Sequence, residues 1–80
     1  MILSETIKKR IIGLCEERGI TLNKLSTTCG ITQSTIDYII KADNSKTSVS
    51  TVKKICDGLN ISLAEFFDTK EFNELEQEIN

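Results

Sequence analysis

Ile7, Ile11 and Leu14 stand at i, i+4 and i+7, an inward stripe flanked by Ile12 and Cys15, and the same helical period recurs in short blocks along the chain. Ser4 offers a capping hydroxyl ahead of a first turn carrying Glu5 and Thr6, and Gly19 closes this first predicted helix. Thr21 caps a second, Leu22 to about Thr28, with Leu25 and Cys29 inward, and Gly30 stops it after barely two turns. Thr32 caps a third that runs through about Lys41, and the breaker residues of "ADNSKTS" follow as a polar loop. Ser48 caps a fourth whose stripe is Val52, Ile55, Cys56 and Leu59, closed by Asn60. Ser62 with Glu65 three residues later forms a capping box for a short fifth helix that carries Phe66 and Phe67 inward. Finally Phe72, Leu75 and Ile79 recur at helical spacing among acids, a sixth helix or a frayed tail. No segment supports a strand.

Eighty residues hold one domain with a small core, so most helices must be amphipathic and share a single apolar centre. The pattern predicts an all-α fold: a compact five-helix orthogonal bundle over residues 1–68, with a short acidic amphipathic C-terminal helix or tail over 69–80. No apolar run approaches the ~18 residues of a membrane span. In "MILSETIKKRIIGL" the charges interrupt the apolar residues instead of preceding them, which is not the order of a signal peptide, so a cytoplasmic protein is expected.

Composition excludes more than it identifies. There is no His, no phosphate-cradling Gly loop and no nucleophile beside an evident base, so an enzyme is not expected. Cys15, Cys29 and Cys56 are widely spaced and lack a second set of ligands at zinc spacing, so neither a metal nor a cofactor is expected and plain buried thiols are. The net charge of −2 hides an uneven distribution. Residues 1–54 hold nine Lys or Arg against five acids, whereas residues 55–80 hold one Lys against seven acids. Opposite signs in two parts of one small domain point to faces with different partners.

Residues 21–40 have the organisation of a helix-turn-helix: a short capped helix, a Gly-containing turn, and a second capped helix. Ser26 supplies the small side chain that a close crossing needs, and Gly30 the residue tolerant of positive φ. Ile36 and Ile39 anchor the second helix, leaving residues 33, 34, 37, 38 and 41 outside. That outer face carries short hydrogen-bonding groups where an ordinary solvated helix would carry Glu and Lys. "GITLNKLSTTCGITQSTIDYIIKA", followed by "TSVSTVKKICDGLNISLAEFF", resembles the lambda-repressor-like, Cro/Xre-type DNA-binding domain over about residues 5–68.

The resemblance implies a transcriptional regulator, a repressor, with residues 33–41 as the recognition helix in the major groove of double-stranded DNA. Nine residues at about 1.5 Å each span roughly 13 Å, comparable to the ~12 Å groove. It implies Gln33, Ser34 and Tyr38 as base-edge readers, Gln33 suiting adenine. Asp37 is able to accept from cytosine, yet repels phosphate and is read as a filter against wrong sites. Phosphate contacts are expected from Thr32, Lys41, Lys46, the free amides after Ser48, and Asn23 or Lys24. The plainer readings are a polar helix start for Gln33 and Ser34, packing on the 43–47 loop for Tyr38, and solvation for the lysines. A homodimer on an inverted-repeat operator is expected, with Phe72, Leu75 and Ile79 either docking on the parent domain or forming the two-fold interface.

Three positions depart from the family pattern. Leu22 stands where many members carry a phosphate-binding Gln, and Cys15 and Ile40 where many carry an Arg and a Glu that pair. Both members of the pair are replaced together, as in an apolar contact substituted for an ion pair. The alternative function is a protein-interaction module on the same fold, an antitoxin or antirepressor-type partner binder using the acidic C-terminal segment. Leu22 and the weak overall positive charge favour that alternative; the hydrogen-bonding face of residues 33–38, charged only at Asp37, favours DNA.

Overall fold

Among the described residues six helices form, most of them started by a side-chain cap and several ended by a left-handed residue. The computed structural model describes residues 2–42, 46–75 and 77, with α1 at Leu3–Arg18, α2 at Leu22–Cys29, α3 at Gln33–Lys41, α4 at Val49–Leu59, α5 at Leu63–Phe67 and α6 at Lys70–Asn73. Thr21, Thr32 and Ser48 each accept a hydrogen bond from the backbone three residues on, at the heads of α2, α3 and α4. Ser62 and Glu65 close the reciprocal capping box of α5. At the other ends Gly30 (φ 69°) and Asn60 (φ 57°) take the left-handed conformation that turns the chain out of α2 and α4.

Two details differ from the sequence reading. Ser4 is not the cap of α1. The helix begins two residues earlier than a Ser4 cap would place it, at Leu3 after Ile2, whose carbonyl accepts from Thr6 Oγ1 at 3.1 Å. Water satisfies exposed first-turn amides well enough for a helix to extend past a good capping residue. The second difference is that α6 is only four residues long, started by Thr69, whose Oγ1 accepts from Phe72 N at 3.2 Å. Leu75 therefore follows the helix, and Ile79 lies outside the described residues.

The core is built from Ile7, Ile11, Leu14 and Cys15 of α1, Leu25 of α2, Ile36 and Ile39 of α3, Val52, Ile55, Cys56 and Leu59 of α4, and Phe66 of α5. Each fully buried aliphatic or aromatic side chain stabilises the fold by about 1.5–3 kcal/mol relative to exposure. Cys15 is buried and Ile40 packs against the same cluster, so both positions of the missing ion pair serve the apolar core. Burial pushes all three thiols above the ordinary Cys range.

Helix α2 lies against α1, α3 and α4, and α5 against α4. The α2–α4 approach is close: a Cβ added at Gly58 would overlap Cys29 Sγ and fall 3.1 Å from Cys29 Cα. At the other end of the domain, Arg10 ties α1 to the last turn of α5, with Nε donating to Phe66 O at 2.9 Å and Nη2 to Glu65 O at 3.0 Å. Phe72 joins the aromatic group there, 4.9 Å from Phe67 and 6.0 Å from Phe66 between ring centroids. The start of the C-terminal segment is thus docked on its own domain, beside α1. No helix among the described residues is long and apolar enough to cross a membrane.

Candidate nucleic-acid interface

The placement of α3 follows from its two ends and its inner stripe. Gly30 lets the chain reverse direction, and Ile31 N then bonds back to Ser26 O at 3.0 Å, closing the turn on α2. Thr32 Oγ1 accepts from Thr35 N at 3.2 Å and starts α3. Ile36 and Ile39 are 0% and 2% exposed, so their burial fixes the rotation of the helix about its axis. Gln33, Ser34, Tyr38 and Lys41 are in consequence exposed and Asp37 half-exposed, on one outward face.

The side chains of that face are not independent. Gln33 Nε2 donates to Asp37 Oδ1 at 3.0 Å, one turn along the helix. Lys41 Nζ stands 3.9 Å from the same carboxylate oxygen, one turn further. This last pair is a surface ion pair worth little by itself. At the other end Ser26 Oγ, on α2, lies 3.3 Å from Gln33 Oε1 and 2.8 Å from Asn23 O. Ser34 Oγ is 3.3 Å from Thr32 Oγ1, which also meets Thr35 Oγ1 at 2.9 Å. Tyr38 is 53% exposed, the one ring on this face.

Apart from Lys41, the last residue of α3, the expected phosphate-contacting residues fall at helix heads. Thr32 precedes α3; Asn23 and Lys24 lie exposed in the first turn of α2. Lys46 and Ser48 lie exposed ahead of α4, and Ser48 Oγ is spent on its own helix, accepting from Thr51 N at 3.1 Å. What remains for an anion at that position is the pair of backbone N–H groups of Val49 and Ser50, which have no intrahelical acceptor. Phe72 and Leu75 do not join this set: they belong to the segment beside α1. Leu22 is half-buried and packs on the core.

Sequence reasoning gave Ser26 only a steric role and Asp37 an isolated one. A Gln followed by an Asp four residues later on a helix face is a recognisable hydrogen-bonding pair. The reach of Ser26 to Gln33, across the turn, has no local signature.

The sequence matches a family described as helix-turn-helix over residues 12–66. The structure is similar to the crystal structure of the prophage Lp1 protein 11, with a TM-score of 0.82 and 28% sequence identity over 94% of this chain and 100% of that one. No curated protein matches the sequence.

Proposed function

This chain belongs to the Cro/C1-type helix-turn-helix family of DNA-binding regulators, and on that premise we propose that it is a sequence-specific repressor that reads the major groove with α3. The observation that carries the reading is the outward face of α3. Gln33 and Ser34 open the helix, exposed and able to donate and accept at base edges, while Ile36 and Ile39 seat it on the domain. Tyr38 adds a ring and a hydroxyl one turn further. Thr32, Asn23, Lys24, Lys41, Lys46 and the amides after Ser48 supply the phosphate contacts that set register without reading sequence. Leu22 cannot bind phosphate through its side chain, so at the head of α2 that role passes to the free backbone amides and to Lys24.

One helix of nine residues reads only a few base pairs, too few to single out an operator. A two-fold dimer doubles the site, placing two copies of α3 about 34 Å apart on an inverted repeat. Phe72 is docked on its own domain, so the proposed dimer contact begins at Leu75 and continues into the segment that contains Ile79. The protein-interaction alternative drew on Leu22, which faces the core.

The test is selection from a random duplex pool followed by a salt titration of the enriched duplex. An inverted repeat and a steep decline of affinity with salt are expected, about 0.9 in the log–log slope for each phosphate contact. Lys46→Ala should lower that slope by about one and weaken all sequences alike. Failure to enrich any motif, together with no binding at low salt, would overturn the proposal.

A further inference from the structure

We infer that Ser26 and Asp37 hold the Gln33 amide in one orientation, and that this clamp makes Gln33 accept adenine and reject guanine. The inference rests on the reading of α3 as the major-groove helix. Its basis is the pair of bonds at the two ends of one amide: Ser26 Oγ to Gln33 Oε1 at 3.3 Å and Gln33 Nε2 to Asp37 Oδ1 at 3.0 Å. An ionised carboxylate only accepts hydrogen bonds, so the amide nitrogen must face Asp37 and the oxygen falls to Ser26. Reversing the amide would set Oε1 against the carboxylate, two acceptors with no proton between them.

Ser26 is 5% exposed, and its single proton is shared between Asn23 O at 2.8 Å and Gln33 Oε1 at 3.3 Å, so the Asp37 bond carries most of the orientation. At the other end Lys41 stands beside the Asp37 carboxylate.

Each bond uses half of what its atom offers. An amide oxygen has two lone pairs and an amide nitrogen two protons, so one of each remains. The two partners come from opposite directions, seven residues back on α2 and four ahead on α3. Adenine reading needs the remaining lone pair and N–H on one edge, turned outward from both partners. Adenine completes that edge with its N6 amino group and N7. Guanine places O6 where adenine has the amino group, so Oε1 would meet another acceptor. An unclamped glutamine escapes by swinging its amide so that Nε2 alone donates to O6 or N7 and Oε1 turns away from the base. A clamped one must first give up both of its bonds.

This gives Asp37 a reason to sit on a face turned to phosphates. It lowers affinity for all DNA and acts through Gln33 as a positioning residue. The essential property is an acceptor-only group at position 37. Asparagine lacks it, because an Asn amide pairs with a glutamine amide in either orientation; glutamate retains it.

The probes are the selected duplex, the same duplex with the Gln33-dependent A·T pair changed to G·C in each half-site, and a random duplex of equal length. Gln33→Ala locates that pair. Asp37→Asn and Asp37→Ala should bind all three duplexes more tightly, since a negative charge is gone, and should lower the adenine-over-guanine ratio at that pair by about tenfold. Asp37→Glu should keep the ratio within about twofold of the wild type, and preferences at other positions should not move in any variant. If Gln33→Ala weakens no single position, the reading of α3 fails and the clamp with it. If Gln33→Ala does so but Asp37→Asn keeps the full ratio, or Asp37→Glu loses it, the clamp alone is overturned.

Discussion

Helix α2 meets two of its neighbours, α4 and α3, through opposite kinds of contact. Toward α4 the joint is close: Gly58 leaves a notch, and Cys29 fills it with its Sγ, 3.7 Å from Ile55 O. Toward α3 the joint is polar, with Ser26 bonded across the turn to Gln33. A notch without a Cβ sets a distance and tolerates no added atom. A hydroxyl shared between Asn23 O and Gln33 Oε1 sets an orientation, at small expense in stability. The first joint holds the pair of helices on the domain, and the second aims a side chain away from it.

Gly58→Ala should produce the largest effect in this comparison. Overpacking costs about 1–3 kcal/mol, and replacing a helical glycine returns about 1 kcal/mol. A net loss of stability is expected because Cys29 Cα, backbone on a packed helix, cannot withdraw as a flexible side chain could. Thermal denaturation reads it at about 4–8 °C for each kcal/mol. Adding Cys29→Ala should recover part of the loss, since the Sγ overlap goes while the 3.1 Å approach to Cys29 Cα stays. A Gly58→Ala chain as stable as the wild type would mean that the notch is not a close joint.

Ser26→Ala should be milder, within about 1 kcal/mol, since Gln33 Oε1 is exposed and water replaces the lost donor. If it proved more damaging than Gly58→Ala, the ranking of the two joints would be reversed. The smallest effect belongs to pH. Cys15, Cys29 and Cys56 have folded-state pKa values above the ordinary thiol value, chiefly through burial. The unfolded chain therefore ionises its thiols first. The thiol contribution to stability should be flat below about pH 8.5 and fall as pH rises further. Replacing all three by Ala should remove that alkaline decline from denaturant melts; an unchanged decline would assign it to other groups.

The parts of this molecule legible in its sequence are those governed by local chemistry. Thr21, Thr32, Ser48 and the Ser62–Glu65 box mark their helices because a cap needs only a hydroxyl or carboxylate within three residues of a free amide. The inward stripes were legible for the same reason, since burial of Ile36, Ile39, Val52 and Leu59 follows a fixed period. Long-range joints were not. Nothing near Arg10 in the chain announces that it will reach Phe66 O, 56 residues away. Cys29 in the Gly58 notch and Ser26 on Gln33 likewise depend on how two helices come to rest. At the interface the period was enough to separate the outward residues from the core. The Gln33–Asp37 pair was legible from its i, i+4 spacing, but the tie from Gln33 to Ser26 on α2 was not.

The central claim, that α3 reads base edges through Gln33, is tested most directly by competition binding of wild type and Gln33→Ala to every single-base-pair variant of the selected operator at one salt concentration. The expected result is a loss of about 1–3 kcal/mol of discrimination at one base pair in each half-site, with all other positions and the salt slope unchanged. A uniform loss across all positions, or none at any, would contradict it.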